Sequence, residues 1–314
     1  MKNKEPLILA VVVFFTLVTY YLVEPFAHHQ MHKHVESEGF AYNDLPAMTK
    51  TGDATRGQEL VMNAGCAGCH SIEAADMPAP MDAVMAAASY GVNPPDLSNA
   101  GAIYDAKFLA DLIKNPAHAL NVEHKFDAEK GQMHPMVAFY GMGGDIDQEV
   151  ADMVAYLQSI AVKAEELTPE IAFENACGRC HAMSYDNWTQ IGTKPSFKHE
   201  KDGLAFDIKV IEYQDSLKAY MGKLPPDLSM YIRSRNEHFI STLVENPQNH
   251  LAGTAMPRVG VTQESMDKII EHMENVGDTK RHEREAVGKN VMIYIIIFSI
   301  FALLWKKQVW KELH

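Results

Sequence analysis

The sequence predicts an all-α chain of two tandem helical units held between one N-terminal and one C-terminal transmembrane helix. Three observations carry that expectation: two uncharged apolar runs near the chain ends, a block of sequence that recurs between them, and apolar stripes at helical spacing with weak strand patterning throughout. At 314 residues there is room for two units of roughly 100–150 residues plus the ends.

The apolar runs come first in that argument. Residues 7–23 lie between Lys2/Lys4 and Glu24, and residues 291–305 lie between Lys289 and Lys306/Lys307. Both are near the lower limit for a span, since about 20 residues at 1.5 Å each cross a ~30 Å hydrocarbon core. The first run is read as a retained anchor (6–24) rather than a cleaved signal. It exceeds a usual signal core, and residues 24–29 offer no small-x-small cleavage site. The second anchor (289–306) carries Trp305 and Trp310 at its exit, with lysine stems long enough to snorkel. Lys2, Lys4, Lys306, Lys307 and Lys311 put both termini on the cytoplasmic side by the positive-inside rule, leaving residues 25–288 outside. The net charge of −13 falls in that outer part. It argues against nucleic acid and suits basic soluble partners, although solubility alone would also explain it.

Between the anchors the chain repeats itself. Pro-Pro-Asp-Leu-Ser occurs at 94–98 and 225–229, and eleven residues past each leucine a helical stretch begins that ends in Asn-Pro, at Asn115-Pro116 and Asn246-Pro247. Asp147-Gln148-Glu149 and Thr262-Gln263-Glu264 each read as an N-cap followed by a polar first turn. The helices they open carry the stripes Val150, Met153, Val154, Leu157 and Met266, Ile269, Ile270, Met273. Further helices are expected from about Ala54 and from Pro169 behind the N-cap Thr168. The changing offset between copies places about twenty extra residues of copy two within 182–224. An extra loop of copy one falls near 121–131, with charged Glu123, Lys125, Asp127, Glu129 and Lys130. The unit boundaries read as 52–165 and 166–279.

All four cysteines fall in two copies of one pentapeptide, Cys66-Ala67-Gly68-Cys69-His70 and Cys177-Gly178-Arg179-Cys180-His181. This is the c-type haem attachment signature: two thiols at that spacing add to the two vinyl groups of one haem, and the next imidazole ligates the iron. A four-cysteine zinc site, two disulfides or redox dithiols would leave both terminal histidines unexplained, and zinc pairs usually lie roughly 15–20 residues apart. The expectation is therefore two covalently attached haem c groups, bound through Cys66, Cys69, Cys177 and Cys180 and ligated by His70 and His181. The haems would fill much of each core, which helps units of this size to fold.

The sixth ligand of a cytochrome c domain is a methionine far downstream of the motif. Copy two offers Met256-Pro257. Copy one offers Met136, with Phe139 three residues on, while Met133, His134 and Met142 remain open. His/Met ligation raises the haem potential and leaves no open position, which favours electron transfer over oxygen or peroxide chemistry. His28, His29, His32 and His34 resemble a metal cluster but read better as a solvated interfacial segment, and Gly141, Gly143 and Gly144 as a plain loop. No phosphate loop, nucleophile triad or paired-carboxylate arrangement is present.

Leu224-Pro225-Pro226-Asp227-Leu228-Ser229-Met230-Tyr231-Ile232-Arg233, the later Ala255-Met256-Pro257, and the closing Lys306-Lys307-Gln308-Val309-Trp310-Lys311-Glu312-Leu313-His314 resemble the haem-c subunit of the cytochrome bc complexes. The likeness covers residues 172–314. A second haem unit in front and a second anchor depart from the usual monohaem subunit and resemble the dihaem variant of Campylobacter-like bacteria. The resemblance implies a subunit of a quinol:cytochrome c oxidoreductase in the bacterial inner membrane, with its haem domains in the periplasm. Implied partners are a cytochrome b subunit, a Rieske [2Fe-2S] protein, and a soluble periplasmic cytochrome c or terminal oxidase, in a dimeric complex. It also implies that the second motif receives electrons and the first exports them, with quinol catalysis belonging to the complex. Two alternatives stand beside it, a dihaem subunit of a cbb-type oxidase and a dihaem peroxidase.

Overall fold

The computed structural model describes residues 4–32, 35–126 and 131–312; Lys2, His34, Asp127, Glu129, Lys130, Leu313 and His314 lie outside the described residues. The first apolar run forms α1 (Glu5–Val18), a π-helical turn (Thr19–Val23) and α2 (Glu24–His32), which follow one another without a break. Thr19 Oγ1 donates back to the Phe15 carbonyl at 2.8 Å where the wider turn begins, a bond that competes with regular helix geometry. His28 and His29 are exposed in α2.

The first unit contains α3 (Ala54–Asn63), α4 (Ala83–Tyr90), α5 (Ala100–Ile103), α6 (Ala106–Lys114), α7 (Pro116–Ala119) and α8 (Ile146–Ile160). Asp53, Asp82 and Asp105 cap α3, α4 and α6, each accepting two backbone N–H groups. The cap of α8 is Asp145, two residues before the expected Asp147, which instead sits in the first turn and pairs with Lys114. Asp145 has the extended backbone a cap requires, and its side chain accepts from Asp147 N. α3 packs across α8. Gly57 makes the close crossing possible, because a Cβ there would collide with the Asp152 carbonyl.

The second unit contains α9 (Pro169–Ala176), the short hairpin β1 (Trp188–Thr189) and β2 (Gly192–Thr193), and α10 (Glu200–Met221). These are followed by α11 (Tyr231–Ser234), α12 (Glu237–Glu245), α13 (Pro247–His250) and α14 (Gln263–Gly277). Thr168 caps α9 and Thr262 caps α14 as expected. The twenty extra residues are mostly α10, which packs on α4 of the first unit. The other extra segment is irregular where it is described, over 121–126 and at Gly131.

The largest core cluster draws on both units. Ile103, Phe108 and Ala119 of the first join Phe173, Met183, Ile240, Val261, Met266 and Ile269 of the second. Asp105 N donates to the Gly260 carbonyl at 2.9 Å and Thr262 N to that of Ile103 at 3.0 Å, so a two-residue bridge joins the units. Gly260 is required there, with φ +77° and the Phe108 ring where a Cβ would stand. Residues 35–50 form a strap over this junction. Phe40 and Tyr42 are buried in the shared core, the Tyr42 hydroxyl donates to the Val261 carbonyl at 2.7 Å, and buried Arg258 pairs with Asp44 at 2.6 Å.

The chain ends in α15 (Arg281–Glu312), 32 residues and roughly 48 Å at 1.5 Å per residue. It begins well before the expected anchor. Its first turn is pinned by Arg281, paired with Glu237, Glu274 and Glu285, and by Arg284 with Asp278. Both terminal helices expose their apolar side chains along their length, as membrane anchoring requires. Lys306 Nζ lies 2.9 Å from the Glu5 carboxylate, so the two helices meet with the chain termini at the same end.

Asp152 on α8 supplies a test of the α3–α8 crossing. Its buried carboxylate accepts from Arg56 Nε and Nη2 at 2.8 and 2.9 Å, from Asp53 N and from Gln148 Nε2. The Arg56 bond holds its pKa below the usual carboxylate value, with burial opposing. A depressed folded pKa contributes stability above the unfolded value that is lost as pH falls through the folded one. Asp152→Asn is expected to cost about 1.5–3 kcal/mol at pH 7. In denaturant titrations the gap to the parent protein should close below about pH 4; a gap independent of pH would contradict the assignment.

Candidate functional site

Each pentapeptide sits at the end of a helix, where the backbone coils into a tight turn. His70 N donates to the Cys66 carbonyl and His181 N to that of Cys177, both at 3.0 Å. The chain then makes the same excursion in both units. Ile72 bridges Met77 and Met183 bridges Trp188, and both excursions include a left-handed residue, Asp76 and Asn187, at φ 56°. Asn tolerates that conformation well and Asp nearly so.

The Pro-Pro-Asp-Leu-Ser loops close over these turns. Leu97 N donates to the Ser71 carbonyl and Leu228 N to that of Ala182, both at 2.9 Å. Asp96 accepts from the Ser98 hydroxyl at 2.6 Å and from Glu73 N at 3.3 Å; Asp227 accepts from Ser184 N at 3.0 Å and Ser229 N at 2.8 Å. The loops thereby bring a proline carbonyl to each imidazole. His70 Nδ1 donates to Pro95 O, and His181 Nδ1 to Pro226 O, both at 2.8 Å. Donation from Nδ1 leaves Nε2 as the bare nitrogen of a neutral ring, which is the form that ligates a metal. Burial pushes both imidazoles below their ordinary pKa, outweighing the opposing proline contacts and so keeping that neutral form.

The cysteines suit thioether attachment better than the rival chemistries. All four are free, and no group of three or more His, Cys, Asp or Glu among the described residues could hold a metal ion. Zinc and redox dithiols need thiolates. Burial instead pushes Cys66 and Cys180 up, and Cys177 up to about 12.

Residues 54–161 match the family model described as cytochrome c. The chain carries a cytochrome c domain. Such a domain implies covalently bound haem c and electron transfer, and the Cys66–His70 turn lies inside the matched segment with the donor set that haem c needs. Comparison with curated proteins finds no match. Among solved structures there is a weak likeness to a chain of a "Hyperthermophilic respiratory Complex III", at TM-score 0.35 and 24% identity, covering 50% of this chain and 79% of that one.

Met256 is half-buried against the shared core, and its N–H donates to Thr254 Oγ1 at 3.3 Å. Of the copy-one candidates, Met133 and Met142 are exposed at 68% and 52%, while Met136 and His134 are half-buried. His134 Nδ1 lies 3.1 Å from Met136 N and 3.4 Å from Met136 O, so it is engaged by the backbone two residues on in either tautomer. Phe139 packs between α6 and α8, and its N–H donates to the Ile113 carbonyl at 2.9 Å. The glycine loop is held by Glu149, which accepts from Met142 N at 2.7 Å and Gly144 N at 2.8 Å.

One residue escaped the sequence reading although it stands inside a motif. Arg179 of the second pentapeptide reaches the first unit, donating from Nη1 to the Asn93 carbonyl at 3.0 Å. A charged residue between the two cysteines of the second pentapeptide was the available signal.

The proline-loop clamp yields a direct test. Asp227→Ala should lower stability by about 1 kcal/mol, the loss expected for surface carboxylate-to-amide bonds, and, on the expectation of a second haem, should reduce covalent haem on the 166–279 segment by freeing the Pro226 carbonyl. Mass spectrometry of proteolytic fragments reads the second effect; unchanged occupancy together with unchanged stability would show that the clamp is dispensable.

Proposed function

We propose that this chain is a membrane-anchored dihaem cytochrome c, a subunit of a quinol:cytochrome c oxidoreductase that relays single electrons from a Rieske iron–sulfur protein to a periplasmic cytochrome or oxidase. The observation that carries the dihaem reading is the repetition, in both units, of an imidazole fixed through Nδ1 by a proline carbonyl beside two free thiols. When bound, haem c supplies a one-electron Fe(III)/Fe(II) couple.

The chain's own part is to hold, insulate and tune. Cys66, Cys69, Cys177 and Cys180 tether; His70 and His181 present neutral Nε2 lone pairs; Met136 and Met256 are the downstream thioethers. The exposure of Met133 and Met142 favours Met136 over them in the first unit. A methionine at each site leaves no open position for peroxide, which separates this reading from a dihaem peroxidase. The terminal helices anchor the protein with both termini cytoplasmic, a topology supported by the flanking lysines and by the Lys306–Glu5 pair. Membership of a bc-type complex rests on the sequence resemblance of residues 172–314, and the span after the second unit separates it from a cbb-type oxidase subunit.

Mild-detergent purification through a tag should bring a cytochrome b and a [2Fe-2S] protein with the chain; their absence would remove the complex from the proposal. Met256→Leu and Met136→Leu should each abolish one of two methionine-to-iron absorption bands and lower one midpoint potential. Both bands surviving in Met136→Leu would assign the first site to another ligand.

A further inference from the structure

The Arg179 cation is not explained by the fold. Among the described residues it has no carboxylate salt bridge: Nη1 donates to Asn93 O at 3.0 Å, the Tyr104 hydroxyl is a second, uncharged partner, and Nε is buried without a partner. A covered guanidinium without a counter-ion is costly and is normally paired. Its position is unusual as well. Arg179 lies in the turn that carries Cys177, Cys180 and His181, while Asn93 lies two residues before Pro95, whose carbonyl holds His70. Tyr213 of α10 locks the two together, donating from its hydroxyl to Arg179 O at 2.8 Å and accepting from Asn93 N at 3.2 Å. Tyr213 is fully buried, packed with Ala87 of α4 and with Cys180. The Arg179 charge is felt at His70 in the first site and at Cys177 and Cys180 in the second.

We infer that Arg179 is a fixed cation shared by the two haem sites, a positioning residue that raises both reduction potentials together and that Tyr213 and Asn93 hold in place. The inference rests on the dihaem reading above. A positive charge disfavours the oxidised iron, which carries one charge more than the reduced form, and in a protein interior of effective dielectric ~20 this influence extends beyond contact distance. Because arginine stays protonated at any working pH, the influence does not titrate away.

The test is redox potentiometry of the detergent-solubilised full chain, followed by electron paramagnetic resonance to resolve the two ferric centres, for the parent protein, Arg179→Met and Arg179→Lys. Intact-mass measurement comes first: one haem on the parent chain would overturn the dihaem reading, and this inference with it. With two haems present, Arg179→Met should lower the reduced-to-oxidised ratio at both sites about tenfold at fixed potential, which is 59 mV for a one-electron couple. Arg179→Lys should restore most of the shift. Unmoved midpoints, a shift at one site alone, or an equal shift in Arg179→Lys would overturn the shared-cation role while leaving the two haems intact. Should Arg179→Met fail to accumulate, Arg179→Gln removes the same charge with hydrogen-bonding capacity retained, and the same outcomes apply.

Discussion

A single hydrogen bond from imidazole Nδ1 to a proline carbonyl, made once in each unit, is the constraint on which the rest of the globular part depends. It sets the tautomer and turns the ring, and it can do so only if the carbonyl is immobile. Proline restricts its own backbone and the residue before it, and the following Asp and Ser tie the loop to the segment just after the cysteine turn. The recurring Pro-Pro-Asp-Leu-Ser is therefore a clamp, and the regular helices around it keep that clamp in register with the pentapeptide. Leu97 and Leu228 extend the same logic: their amides bond the turn, and the side chain of Leu228 enters the shared core.

The two clamps do not belong to separately packed bodies. Phe108 and Val261 are buried in one cluster, Gly260 lets Phe108 approach the crossover, and Tyr104 and Val261 pair across it. Such a junction fixes the spacing of the two sites as firmly as the interior of either unit does, since close-packed interiors transmit displacement rather than absorb it. The proposed relay between two haem sites would benefit from that rigidity. The α4–α10 contact adds a second connection, and Tyr213 and Tyr220 from α10 reach the first unit at Asn93 and Gly91.

Much of this was legible in the residues. The pentapeptides, both proline loops, the Asn-Pro helix ends and the caps Thr168 and Thr262 are local signals, each read from a few neighbouring side chains. The Asp145 cap was missed because Asp147 two residues later has the same chemistry, and only backbone conformation chooses between them. The extra residues of copy two could be counted but not shaped. α10 has a weak amphipathic pattern because only a narrow stripe of it, Tyr213 and Leu217, is buried, in a small cluster with Ala87 of α4. The strap at 35–50 and the reach of Arg179 are long-range contacts, and no spacing in one sequence specifies which distant carbonyl an arginine will meet.

The attachments to the membrane helices distinguish two otherwise similar units. α15 follows α14 after a short turn and is pinned by Arg281 to Glu237 and Glu274, both in the second unit. The strap that leaves α2 makes its buried polar contacts there too, with Phe40 N and Ser37 Oγ donating to Glu245 and Arg258 pairing with Asp44, although Lys107 of the first unit also donates to it. The C-terminal anchor thus leads into the second unit, while the strap bridges both, since Lys50 pairs with Asp145 and the chain then runs into α3 of the first unit. Under the proposed function, a donor of fixed position in the membrane would meet the unit pinned to the C-terminal anchor, and the other unit would be left for an acceptor that arrives from solution.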